Sequence, residues 1–385
     1  MVIVRNRYSI KEYCKEHGIF VDEFNEPVKL EPDGLNCDCF FANCRSFNQP
    51  VEIPKGIISC ENMFLRCDNF NSPVTFIGNT VKNVESMFND CKSFNQPIEF
   101  PNSVVNMKST FSSCRKFNQK ITIPENVMYC ERMFEYCYDF NQPIELPDCV
   151  INMQSMFSCC ESFNQSLKIP LGTTSLYFTF YKCINLNKDI ILHDNIYNMC
   201  DTFYMCSKFN QPITIPKYIY NLNSTYFGCE SLNLNQTIDL TKYKYLNNTN
   251  NMFNNCSNLK IDVKISDAQI VNNGNCQCIF DANSESNVIT KDLKEILKDW
   301  NKAKHYTKNG DLLKFKKIII NGNEYDYISK YIRKSKHDLW KINFKNTTIE
   351  YISDKPFSEK RLAKYLLDVN LSYQRMANAM LQGIL

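Results

Sequence analysis

Sulfur dominates the side chains able to do chemistry. Twenty cysteines stand in 385 residues, beside only four histidines, His17, His193, His305 and His337. Thiolates are nucleophiles and metal ligands, so their spacing decides whether a site is present. Cys14-x-x-His17, Cys37-Asp38-Cys39 and Cys276-x-Cys278 are each half of a zinc set, and no second pair at suitable spacing completes any of them. The histidines are scattered and match no metalloprotease or deaminase pattern. Cysteine and histidine acting together in nucleophilic catalysis meet in space and not in sequence, and the sequence names no such pair. The expectation is a non-enzyme with no catalytic residue, no metal and no cofactor.

What the cysteines do show is a period. Those at 44, 67, 91, 114, 137, 160, 183, 206, 229 and 256 form a column in which eight of nine steps are 23 or 24 residues and the last is 27. A fixed period in this range marks a solenoid, whose coils bury their apolar faces only by stacking. Stacked coils bring successive thiols to about 5 Å, a distance open to free thiols, to disulfides and to a metal ladder. Disulfide scaffolds are short chains with little core, whereas this one is long and holds 27 Phe. Free buried thiols, acting as small hydrophobes, are the favoured reading.

Three elements position that column. An apolar-polar-apolar triplet recurs as Val51-Glu52-Ile53, Val74-Thr75-Phe76, Ile98-Glu99-Phe100, Ile121-Thr122-Ile123, Ile144-Glu145-Leu146, Leu167-Lys168-Ile169 and Ile213-Thr214-Ile215. Such alternation predicts one short half-buried strand per coil, ended in most coils by proline. A Met-Phe pair before cysteine, as in Met87-Phe88, has the spacing of a tight helical turn. Asparagine recurs at 48, 71, 95, 118, 141, 164, 187 and 210, where it can bond the backbone of its own and the next coil. Residues 1–23 read as an N-terminal cap, with Ser9 capping a helix through Lys15 that buries Ile10, Tyr13 and Cys14.

The spacing Ile-x-Ile-Pro-x-x-Val followed by Met-Phe-x-x-Cys-x-x-Phe resembles the BspA-like leucine-rich repeats, whose unit is also 23 residues. The elements Phe94-Asn95-Gln96-Pro97 and Phe140-Asn141-Gln142-Pro143 are similar to the FNIP repeats of amoebae and large DNA viruses. The likeness covers about Phe24 to Phe280. It implies a solenoid that binds other macromolecules, by adhesion in secreted members and scaffolding in intracellular ones, and it carries no family active site. The chain departs from the pattern at Leu171 to Asn195, where Leu186 replaces Phe and Ile190-Ile191-Leu192 lacks the polar middle residue, and again after Cys229. Those irregular coils are expected to bend the stack or carry a partner.

The outward strand positions line up as Glu52, Thr75, Glu99, Thr122, Glu145, Lys168, Ile191 and Thr214. Alternation with threonine keeps like charges from adjacent rungs. Two readings stand: a solvated face, or a protein-binding strip for a basic partner with Ile191 as its lone apolar anchor.

Composition changes after Phe280. Residues 281–287 form a polar link, and residues 288–385 hold 20 Lys and Arg against 11 Asp and Glu. Their net charge of +9, set against +3 for the whole chain, leaves −6 for residues 1–287. A helix over Lys291–Tyr306, a hairpin through the Asn321-Gly322 turn, strands within Leu339–Ile352 and a helix over Ser358–Leu381 make a small α+β module. Lys314, Lys316, Lys317, Lys330, Arg333, Lys334 and Lys336 interleave with aromatics as a candidate nucleic-acid patch.

The fold expected is an α+β repeat solenoid, a leucine-rich-repeat-like stack of 23-residue coils with a short parallel strand per coil over residues 24–283, followed by a basic C-terminal module over 288–385. Its expected role is a protein-protein interaction scaffold or adaptor. The alternatives are a nucleic-acid-associated protein acting through the basic module and a self-assembling structural component. No run approaches the roughly 20 apolar residues of a membrane span, and no signal peptide is apparent, so an intracellular, cytoplasmic setting with no membrane partner is the expectation. The charge split also suggests that the basic module folds back on the acidic repeats.

Overall fold

A computed structural model describes residues 1–233, 238–259 and 261–266, together with strands at 287–291, 317–320, 323–325 and 348–351. The chain divides into two compact units, Met1–Leu232 and Asn233–Leu385. The boundary falls inside the span read from the sequence as one solenoid.

The first unit opens with β1 (Val2–Val4), α1 (Ser9–His17) and a 3₁₀ turn (Val21–Glu23). β1 pairs in parallel with β2 (Val28–Leu30), joining the cap to the first coil. Helix α1 buries Ile10 and Cys14 as its spacing predicts, and Tyr13 sets its ring edge-on to Phe24, 5.7 Å between centroids. The capping expectation needs correction. Ser9 lies inside the helix, after Tyr8 at the N-cap, and its hydroxyl accepts from the amides of Arg5 and Asn6, fastening the loop from β1. The helix ends at Gly18 in the left-handed region, φ 66°.

Each later coil is held to the next by three parallel systems of bonds. The first is the predicted strand face, and it is shorter than expected. β3 (Val51–Ile53) pairs with β4 (Val74–Phe76), and β5 (Leu167–Lys168) with β6 (Ile190–Ile191), both in parallel and at a one-coil shift. The triplets at 98–100, 121–123, 144–146 and 213–215 do not form named strands. Prolines flank these triplets, as Pro97 with Pro101 and Pro212 with Pro216, but Pro50 and Pro54 flank β3 in the same way, so proline alone does not decide which triplets pair. The triplets of the middle coils still bury their apolar residues, with Ile98, Ile121 and Ile144 at most 6% exposed.

A second ladder compensates. Eight residues before each cysteine, isolated parallel bridges run Asn36 to Ser59, Asn83, Asn106, Tyr129 and Asn152, then Ser175 to Asn198 and Asn221. The third system replaces the helical turn read at the Met-Phe pair. Residues five and one before the cysteine take positive φ, as at Asn62 (54°), Arg66 (59°), Ser86 (54°) and Asp90 (60°). This alternation turns every second amide toward the next coil: Asn62 N–H donates to Glu85 O at 2.9 Å, Phe64 to Met87 at 2.8 Å and Arg66 to Asn89 at 2.8 Å. A true helical turn would spend those amides within its own coil.

The core consists of two interleaved columns of rings. One holds Phe41, Phe64, Phe88, Phe111, Phe134, Phe157, Phe180, Phe203 and Tyr226, stacked at 5.2–5.7 Å. The other runs from Phe24 to Phe163 and touches the first at 4.1–4.5 Å. Beside them each column thiol donates to the carbonyl of a Phe one coil back, as Cys114 Sγ does to Phe88 O at 3.0 Å. The arrangement repeats at Cys67, Cys91, Cys137, Cys160, Cys183, Cys206 and Cys229. Burial pushes these thiols up from their ordinary range, Cys44 to about 12, so they stay protonated and unreactive at neutral pH.

In the second unit β7 (Ile238–Asp239), β8 (Asp262–Ser266) and β9 (Asn287–Lys291) form one parallel sheet. β10 (Lys317–Ile320) and β11 (Asn323–Tyr325) make the antiparallel hairpin expected around Asn321-Gly322, and β12 (Thr348–Tyr351) pairs in parallel with β10. The two C-terminal helices expected at Lys291–Tyr306 and Ser358–Leu381 lie outside the described residues, apart from Lys291 in β9.

Candidate functional site

All eight residues of the predicted strip are exposed on the first unit. Register places Glu52 opposite Thr75 and Lys168 opposite Ile191, so the rungs align as the repeat predicts. Lys168 reaches Asp148 at 3.9 Å, a pair open to water on both sides. Ile191 is 57% exposed and stands alone among carboxylates, hydroxyls and an ammonium group.

Beside Ile191 the stack opens. A cavity of ≈ 310 Å³ is lined by the backbone stretch Asp189–Leu192, by Gln211, Pro212 and Thr214, and by the rings of Phe203, Phe209 and Tyr226. The opening coincides with the irregular coil. β6 uses its pairing on β5, with Leu167 N–H donating to Asp189 O at 3.1 Å and Ile169 N–H to Ile191 O at 3.0 Å, while the triplet at 213–215 forms no named strand against its other edge. Ile190, Leu192, Ile213 and Ile215 are half-buried, where Ile121 and Ile123, in a triplet that likewise forms no named strand, are 5% and 6% exposed. The result is an apolar recess with a ring floor and a polar rim of Asp189, Gln211 and Thr214. Sequence reasoning marked the irregular coil and Ile191 but missed Phe203, Phe209 and Tyr226, which sit at ordinary core positions of the repeat. Only the missing polar residue of Ile190-Ile191-Leu192 signalled an opening there.

The asparagine column is structural. Asn25, Asn48, Asn71, Asn95, Asn118, Asn141, Asn164 and Asn187 each accept, through Oδ1, the backbone N–H of the next asparagine at 2.8–2.9 Å. The following glutamine donates to the same oxygen in most coils, as Gln119 Nε2 does to Asn95 at 3.1 Å. With Oδ1 shared between two donors, the column stitches coils together.

Among the described residues no group of three or more His, Cys, Asp or Glu is placed to hold a metal, and no helix is long and apolar enough to cross a membrane. Of the candidate basic patch, Lys317 falls in β10; Lys314, Lys316, Lys330, Arg333, Lys334 and Lys336 lie outside the described residues.

A family model described as "Mycoplasma protein of unknown function, DUF285" matches residues 35–123, 58–169 and 174–292, together about two thirds of the chain. The chain belongs to the DUF285 family. The first two matches begin 23 residues apart, which is one coil, so the DUF285 pattern slides along this chain in register with its own repeat. Membership agrees with the resemblance to BspA-like repeats. Among solved structures, a leucine-rich repeat protein from Bacteroides ovatus is similar to the chain at 20% identity over 68% of each chain, with a TM-score of 0.48. No curated protein matches.

Proposed function

We propose that this DUF285 chain is a non-catalytic protein-interaction scaffold whose partner lies along the strand face and anchors one bulky apolar side chain in the recess beside Ile191. The carrying observation is the recess itself: a ring-floored cavity that opens on an otherwise polar, ladder-ordered strip. Interfaces concentrate binding energy where an anchor fills a desolvated pocket inside a polar rim, and the recess beside Ile191 offers that arrangement. Glu52, Glu99, Glu145 and Asp189 favour basic groups flanking the anchor. The Phe-Asn-Gln-Pro likeness to FNIP repeats supports the same class of role, since it brings no catalytic residues with it.

The test uses the full chain as bait in nuclease-treated lysate, wild type against Ile191→Asp with Thr214→Trp, which charges the anchor and fills the recess. A protein recovered by wild type and lost by the double variant, with circular dichroism unchanged, supports the reading. Equal recovery by both baits, or recovery that disappears on nuclease treatment of wild type, overturns it.

A further inference from the structure

The strand face is not where exposed apolar surface accumulates. Nine residues before each column cysteine stand Leu35, Ile58, Lys82, Val105, Met128, Ile151, Thr174, Tyr197 and Tyr220. Their backbones form a ladder of their own: Ile58 N–H donates to Leu35 O at 2.7 Å, Lys82 to Ile58 at 2.8 Å, Val105 to Lys82 at 2.9 Å, Met128 to Val105 at 2.9 Å and Ile151 to Met128 at 3.0 Å, and Tyr220 donates to Tyr197 at 2.7 Å. Seven of the nine side chains are apolar or aromatic. Leu35 is 57% exposed, Ile58 38%, Ile151 42%, and Tyr197 and Tyr220 48% each. At about 4.8 Å per rung the stripe runs for roughly 38 Å. A single exposed isoleucine needs no explanation, but a column of them held in register is a surface with a partner.

Charge says which partner. Three residues further along, the first five coils carry Asp38, Glu61, Glu85, Lys108 and Glu131, and the later coils carry the neutral Gln154, Tyr177, Cys200 and Asn223. Three of the carboxylates are held in place: Asn83, Asn106 and Asn152 donate to Glu61, Glu85 and Glu131 at 3.1, 3.0 and 2.7 Å. On the other side stand Glu125, Asp148 and Asp194, with Lys55 and Lys217 among them. These acids outnumber Lys55, Lys82, Lys108 and Lys217, so the stripe with its borders is net acidic, which disfavours a second copy of itself and any anionic lipid surface. It complements a segment with an apolar ridge between basic flanks. An α-helix has that shape: its apolar ridge rises about 5.4 Å per turn, close to the coil spacing, and about 25 residues cover the stripe.

We infer that the ladder from Leu35 to Tyr220 is a second docking surface, distinct from the strand face, for a basic amphipathic helix. The probe is a fluorescent 25-residue peptide of leucine and lysine patterned with helical period, titrated into the full chain by anisotropy. Controls are a scrambled peptide of the same composition and a leucine-glutamate peptide of the same pattern. Expected is micromolar binding of the patterned basic peptide alone. With the strand-face recess closed by Ile191→Asp, Thr214→Trp in every sample, the exposed-surface variant Ile58→Ser, Ile151→Ser, Tyr197→Ser should weaken it at least tenfold. Equal binding of the scrambled or acidic peptide overturns the inference, and so does undiminished binding by the triple variant. Sedimentation velocity showing a concentration-dependent dimer that the triple variant abolishes would assign the stripe to a second copy instead. Stripe-dependent adsorption to phosphatidylserine vesicles would assign it to a membrane.

Discussion

Replacing Asn118 by alanine isolates what the asparagine column contributes. Its Oδ1 accepts from Asn141 N–H at 2.9 Å and Gln142 Nε2 at 3.1 Å, and its own N–H donates to Asn95 Oδ1 at 2.9 Å. Alanine keeps the last bond, which is made by backbone, and removes the first two. A backbone donor stranded away from water costs about 1–3 kcal/mol, and at this half-buried edge the lower half of that range applies. Gln142 turns to solvent at a cost of a few tenths. The sum is about 1.5–2 kcal/mol, measured by urea denaturation of the first transition, with amide exchange at Asn141 accelerated about tenfold or more. The control is Asn118→Asp. Its carboxylate is an acceptor only, and since the two bonds need only an acceptor, stability at pH 7 should stay within about 0.5 kcal/mol of wild type. A penalty below 0.5 kcal/mol for Asn118→Ala with unchanged exchange at Asn141 would refute the stitching argument. An Asn118→Asp variant as unstable as Asn118→Ala would refute the acceptor assignment.

Removing a ring from the core should cost more: Phe134→Ala, at 0% exposure between Phe111 and Phe157 at 5.7 Å each, should lose about 3–5 kcal/mol by denaturant titration. The left-handed turns give the opposite sign, since Ser113 holds φ 62° and Ser113→Gly should gain about 0.5–1 kcal/mol while Ser113→Val loses stability. The column thiols, whose folded values burial raises above the unfolded one near 9, stabilise the fold fully below pH 9. That contribution is lost as pH rises through the folded values, so alkaline titration should show level stability to about pH 9 and a fall toward pH 12. Thiol labelling at pH 8 should find exposed Cys149 first and the column only after unfolding.

The repeat was legible because its period is carried by residues with one dominant role each. Cysteine and phenylalanine fill invariant core positions, and asparagine has a side chain of the right length to reach the next coil. Pairing was less legible, for a physical reason: alternation in Ile98-Glu99-Phe100 reports which side chains are buried, not whether adjacent backbones pair, since β3 pairs between Pro50 and Pro54 and 98–100 between Pro97 and Pro101 does not. The same limit hid the turns. Ser86, Asp90, Arg132 and Tyr136 share positive φ but not chemistry, so no residue type announced that every second amide points along the stack. Ile191 could be singled out because it breaks a polar column, but Phe203 and Tyr226, each 2% exposed, look like any other core ring. The stripe from Leu35 to Tyr220 lies beyond sequence inspection for a related reason. In each coil its residue precedes an Asn, Ser or Tyr and a buried Cys, Val, Met or Leu, so an apolar residue there resembles one more core position. Only the ladder, by fixing which side of the backbone meets the rings, turns that column outward. A solenoid multiplies this effect: one residue's orientation, repeated nine times, becomes a surface long enough to hold a helix.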